Sequence, residues 1–180
     1  MNSYRRFWLG TSWKMNGSKA MAEGYAEALA RYDWNQFANI VPFVLPPFPF
    51  VQTVAARLTG TAVRVGVQNV HWSADGPFTG EALSTMAFEI GARLAEIGHA
   101  EHHALFGDTE EIIREKTRLA VAAGLSASVT HSSSRQPARP WRRSSVKRRI
   151  ALSGTRPLRG RKLDPFLRAD IVDRQRWDIC

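Results

Sequence analysis

Up to Gly124, short apolar runs alternate with amphipathic stretches in units of about thirty residues, the pattern of repeated strand-helix units. Phe7 to Trp13, Ile40 to Leu45, Val63 to Val67 and Leu94 to Ile97 read as strands. Between them, Ser18 is placed to cap a helix through Tyr32 whose apolar stripe is Met21, Tyr25, Leu29 and Tyr32. Val51 to Leu58 and Ser84 to Ile90 read as short helices. Asp108 is the expected cap of a helix to Ala123, with Ile112, Ile113, Leu119 and Ala122 on one side and Gly124 as its stop. Four βα units of this kind require parallel strands and crossover helices. The predicted fold is therefore α/β, either doubly wound or a barrel, and periodicity does not choose between them.

The regular signal ends after Leu125, and there the composition changes as well. Residues 1–124 hold 11 Lys or Arg against 12 Asp or Glu, and residues 125–180 hold 14 against 4, so the whole +9 charge resides in the last third. Ser126 to Ser145 is rich in Ser, Arg and Pro, and only 146–152 has the makings of one or two helical turns. Two regions follow: an ordered 1–124, and a basic tail over 125–180 without a predicted fold. The single Cys180 excludes a disulfide framework and a multi-cysteine zinc site. No stretch reaches the ~18 apolar residues of a membrane span, and the start does not read as a signal peptide. The expectation is a cytoplasmic protein without a membrane partner.

Four segments, three of them at strand ends, carry chemistry. Gly10-Thr11-Ser12-Trp13-Lys14-Met15-Asn16 follows the first strand, where α/β enzymes bind their ligands. Lys14 suits a phosphate or an oxyanion, although a lone lysine in a turn is more often simply solvated. Val67-Gln68-Asn69-Val70-His71-Trp72 ends the third strand and continues into Gly76-Pro77-Phe78-Thr79-Gly80-Glu81. Ile97-Gly98-His99-Ala100-Glu101-His102-His103 ends the fourth, before Phe106-Gly107-Asp108. The fourth segment is the helix start at Asp108, whose default role is capping. No acidic or cysteine partner is spaced as in a zinc motif, and adjacent His102 and His103 cannot both face one ion from a regular element. Neither a metal nor a cofactor is expected.

In this order and spacing the segments resemble the triosephosphate isomerase family. Its Asn-Trp-Lys-Met-Asn is matched by Ser12 to Asn16, its Ala-Gln-Asn by Val67-Gln68-Asn69, its Gly-Ala-Phe-Thr-Gly-Glu loop by Gly76 to Glu81, and its Gly-His-Ser-Glu-Arg-Arg by Gly98 to His103. The likeness covers residues 7–125 and implies about the first half of a (β/α)8 barrel. It implies that Lys14 neutralises the substrate's phosphate and the developing enediolate oxygen, that His99 polarises the carbonyl, and that Ser12 joins Lys14 in binding substrate. Gln68, Asn69, Thr79 and Glu101 become structural or dimer-contact residues. The family is itself the standard worked example of a neutral histidine partnered with a glutamate base. Its third loop, here Trp72 to Glu81, enters a partner subunit, which implies a homodimer.

Departures narrow this expectation. Ser12 stands where the family has Asn, Ala100 where it has Ser, and His102 and His103 where it has two arginines. These point to a divergent branch, so the expected reaction is the interconversion of dihydroxyacetone phosphate and glyceraldehyde 3-phosphate or that of a related sugar phosphate such as a tetrulose phosphate. A whole barrel takes at least ~200 residues, and the chain has no Glu after Glu115 to match the family's base. Read one base later under a permitted codon choice, residues 167–177 yield Tyr-Glu-Pro and a glycine-rich run close to that missing segment. The tail from about 126 is therefore expected to be a frameshifted reading, and the chain to be inactive as an isomerase. The reading from another class is a nucleic-acid or anionic-surface protein, with Trp141 and Trp177 as stacking groups.

Overall fold

The computed structural model describes residues 6–129 together with the short strand Asp178–Ile179. Five parallel strands lie in sequential order: β1 (Phe7–Ser12), β2 (Ile40–Leu45), β3 (Arg64–Val67), β4 (Leu94–Ile97) and β5 (Ser126–Val129). They are joined by α1 (Lys19–Arg31), α2 (Phe48–Leu58), α3 (Ser84–Glu89), α4 (Ala100–Phe106) and α5 (Glu110–Ala122). The two-residue strand β6 (Asp178–Ile179) pairs antiparallel with β5.

Alternation along the strands decides between the two candidate architectures. Val44, Val65, Val67, Ala95, Ile97, Ala127 and Val129 pack in one cluster with Ala22, Ala26, Leu29, Val51, Val54, Ile113 and Ala120 from the helices. The intervening residues Phe43, Leu45 and Leu94 form a separate cluster with Trp8, and no helix contributes to it. All crossovers thus cover one face, and the strand order never reverses as it must in a doubly wound sheet. The sheet is a curled half-barrel, with the second cluster inside the curve.

Close strand approach explains a glycine on the inner face. A Cβ on Gly10 would collide with the Phe43 carbonyl and ring. Gly10→Ala is expected to cost about 1–3 kcal/mol through overpacking, seen as a lower urea midpoint with an unchanged slope.

Helix details differ from the sequence-based expectation: α4 was not expected, α2 begins at Phe48 instead of Val51, and the buried face of α1 and the cap of α5 are not the expected ones. Ser18 caps α1 as expected, accepting the Met21 N–H at 3.2 Å. The buried stripe is Ala22, Ala26 and Leu29, while Met21 is exposed and Tyr25 packs edge-on against Trp13. Small alanines let the helix sit close to the sheet, so the larger side chains turn to its flank. In α5 the cap is Thr109, whose hydroxyl accepts the Ile112 N–H, and not Asp108. Its buried face is Ile113, Lys116 and Ala120. Gly124 ends α5 as expected, at φ 87°, a left-handed conformation that suits glycine.

The regular pattern also runs four residues beyond Leu125, since Ser126–Val129 pairs in parallel with Leu94–Ile97. The helical turns expected at 146–152, and Trp141 and Trp177, lie outside the described residues.

Candidate active site

The carboxyl ends of β1, β3 and β4 bring Lys14, Gln68 and His99 together. Lys14 has φ 56°, the one non-glycine residue with positive φ among the described residues. Such a conformation costs on the order of 1–3 kcal/mol and persists only when neighbours enforce it. Gln68 is that neighbour: its Nε2 donates to the Lys14 carbonyl at 3.0 Å and to the Leu45 carbonyl at 2.9 Å, tying the ends of three strands together. Asn16 Nδ2 donates to the Trp13 carbonyl and braces the same turn.

His99 is the N-cap residue of α4, and its Nδ1 accepts the Glu101 N–H at 3.0 Å. Its Nε2 lies 2.6 Å from Lys14 Nζ. Both ring nitrogens therefore face N–H donors, while a neutral imidazole has a single acceptor nitrogen. The backbone amide is fixed, so Nδ1 accepts and Nε2 carries the hydrogen, which leaves Nε2–H and the Lys14 ammonium side by side with no acceptor between them. An oxygen bearing negative charge is the group that satisfies both. Glu101 Oε2 stands 3.6 Å from Lys14 Nζ and 3.7 Å from His99 Nδ1; with Lys14 40% and Glu101 53% exposed this is a weak surface pair.

Ser12 faces the interior of the curve, where its Oγ donates to Glu96 Oε2 at 3.0 Å. Glu96 is only 4% exposed. Sequence reasoning missed it because Leu94–Ile97 reads as an ordinary buried strand. Thr79 is exposed in the third loop and makes no hydrogen bond among the described residues. That loop is held from within by His71, which is buried, accepts the Ser73 N–H on Nδ1 and packs against the Trp72 and Phe78 rings.

A second polar cluster lies behind the first. Lys116 Nζ donates to Asp108 Oδ1 at 3.0 Å, Asp108 Oδ2 at 2.7 Å and Asn69 Oδ1 at 2.9 Å, and it stands 5.8 Å from the Trp72 ring centroid. Asp108 is thus the buried partner of Lys116 instead of a helix cap, and Asn69 links the pair to the end of β3. The visible cue was a lysine in the apolar stripe of α5, three residues after Ile113 and four before Ala120.

His102 adjoins this pair, with Nδ1 3.6 Å from Asp108 Oδ2. Burial first, and the Lys116 ammonium second, hold its imidazole below the ordinary value, against the opposing pull of Asp108. The unfolded chain then takes up the proton before the folded one does. Stability is full above the unfolded pKa of about 6.5 and falls as pH drops below it. Urea midpoints measured from about pH 7.5 down to about pH 5.5 should show this fall, and His102→Gln should reduce it. Among the described residues no group of three or more His, Cys, Asp or Glu could hold a metal ion, and no helix is long and apolar enough to cross a membrane.

Comparison with known proteins shows the family. The family model described as triosephosphate isomerase matches residues 7–136. The L-erythrulose-1-phosphate isomerase of Rhizobium rhizogenes strain K84 is 42% identical over 125 residues, which is 69% of this chain and 48% of that protein. The enzyme of the same name from Brucella abortus biovar 1 is 43% identical over 120 residues, covering 67% of this chain and 47% of its own length. That of Mycolicibacterium smegmatis is 42% identical over 122 residues, covering 67% and 46%. The chain spans about half the length of these relatives. The matched residues include the strand ends that carry Lys14, Gln68 and His99, and the chain belongs to the triosephosphate isomerase family.

Proposed function

We propose that the chain carries the substrate-binding half of an isomerase site for a sugar phosphate, with a tetrulose phosphate as the preferred substrate. The observation that carries the reading is the juxtaposition of Lys14 Nζ and His99 Nε2, 2.6 Å apart. Moving a proton between adjacent carbons develops charge on an oxygen, and two neighbouring donors that part to seat that oxygen between them stabilise it. Lys14 also neutralises the phosphate. Gln68 holds Lys14 in its left-handed turn, and the α4 amide holds His99 in the tautomer that donates from Nε2. The tetrulose assignment is supported by relatives named L-erythrulose-1-phosphate isomerase and by Ser12 in place of the family's longer Asn.

Such a reaction needs a general base facing the carbon. Lys14 and His99 are occupied with the oxygens, and no Glu follows Glu115 in the 180 residues. The chain alone is therefore expected to bind sugar phosphates without enzyme-like turnover. Purified chain should leave both L-erythrulose 1-phosphate and dihydroxyacetone phosphate unconverted. Conversion at an enzyme-like rate that survives Lys14→Met would contradict the roles of Lys14 and His99, and conversion that Lys14→Met abolishes would contradict only the missing base.

Self-association belongs to the same reading. Met15 is 96% exposed, and Trp72, Phe78, Leu105 and Phe106 are exposed apolar side chains around the third loop and α4. Exposed apolar side chains on the loop that the family inserts into its partner support an interface with a second copy. Sedimentation should show a dimer that Phe78→Ser shifts to monomer. A monomeric unsubstituted chain would rule the dimer out.

A further inference from the structure

The polar floor inside the half-barrel extends the proposed function and rests on it. Inward positions of such a barrel are normally filled by bulky apolar side chains, as Phe43, Leu45 and Leu94 do on the same face. Toward the carboxyl ends of β1, β4 and β5 the chemistry changes. Ser12, Glu96 and Ser128 occupy inward positions on β1, β4 and β5, and Glu96 is the register partner of Ser128. Glu96 and Ser128 are 4% and 3% exposed. Ser12 Oγ donates a hydrogen bond to Glu96 Oε2 at 3.0 Å, and Ser128 Oγ is buried with no hydrogen-bond partner among the described residues.

A buried carboxylate with one hydroxyl donor, beside an unpartnered hydroxyl, is costly unless something uses it. Its two oxygens can accept about four hydrogen bonds. Ser12 lies two residues before Lys14 and Glu96 three before His99, so this floor adjoins the two donors. The geometry points to Glu96 as a specificity-determining residue that, with Ser12 and Ser128, takes a further hydroxyl of the sugar phosphate. A triose phosphate has spent its oxygens on the phosphate, the carbonyl and the hydroxyl at the reacting carbons. A tetrulose phosphate carries one more CHOH unit and therefore one more hydroxyl. The short Ser12 leaves room for it, Glu96 accepts its hydrogen, and Ser128 Oγ can donate to its oxygen. A charge-assisted hydrogen bond of this kind is worth about tenfold in affinity or more.

The test is calorimetric titration of the full 180-residue chain with L-erythrulose 1-phosphate and with dihydroxyacetone phosphate, read as the ratio of the two affinities. The unsubstituted chain should favour the four-carbon ligand by about tenfold. In Glu96→Leu the ratio should fall to within about twofold, because the acceptor is gone. Ser12→Asn keeps Glu96 but fills the room, and it should lower the same ratio; it decides the matter if Glu96→Leu does not fold by circular dichroism. An unchanged ratio in a folded variant, including equal weakening of both ligands, overturns the role of Glu96 and reassigns it as a structural carboxylate. If the ratio is unchanged while Lys14→Met still weakens both ligands, the isomerase-site reading survives alone. Absence of binding by either ligand to the unsubstituted chain overturns both.

Discussion

Lys116→Met should destabilise the fold by about 3–5 kcal/mol, the range found when one partner of a buried ion pair is removed. Lys116 is 2% exposed and satisfies three oxygens, two of Asp108 and one of Asn69. Methionine fills most of the volume but leaves the Asp108 carboxylate buried beside His102 with no cation. Domains of this size are stable by only about 5–15 kcal/mol, so the loss is a large fraction of the whole. Adding Asp108→Leu should recover much of it, because a buried pair replaced by apolar groups is often neutral. Denaturant curves on the two single variants and the double variant would measure this coupling. Additive losses would mean that the pair contributes nothing as a pair.

Lys14→Met should weaken sugar phosphate binding by about 10–100-fold, since a hydrogen bond from a charged donor is worth about 1.5–3 kcal/mol. Stability should change little, because the contact with Glu101 is a surface pair and methionine must adopt the same backbone. Gln68→Ala should act in the same direction without touching the ligand, by releasing the two carbonyls that hold Lys14 at φ 56°. Calorimetry with dihydroxyacetone phosphate, against urea midpoints for the same variants, separates binding from folding.

The strands were legible because β1 to β4 are apolar runs bounded by turn residues, and the ends of α1 and α5 because Ser18 and Gly124 have unambiguous local chemistry. What periodicity could not resolve was rotation by one residue. In α1 the larger Met21 and Tyr25 outweigh the alanines that are buried, and in α5 Lys116 reads as a solvated charge until Asp108 is found beside it. β5 escaped notice because Ser126-Ala127-Ser128-Val129 has only two apolar residues, set among further serines. Lys14 and His99 were found through motif likeness, whereas Glu96 needed the register of β1, β4 and β5 to place it on the inner face. Barrel against doubly wound sheet was likewise a question of which face the helices cover, and that is a property of packing and not of sequence spacing.

Lys14 and His99 act as one receptor for a charged oxygen only if His99 donates from Nε2. Nitrogen-15 NMR of the histidine rings during titration with L-erythrulose 1-phosphate reports this atom directly. The expected result is a His99 ring with its hydrogen on Nε2, a saturable shift of that nitrogen on binding, and loss of the shift in Lys14→Met. A ring protonated on Nδ1, or a His99 resonance indifferent to the ligand while binding is seen elsewhere, would contradict it.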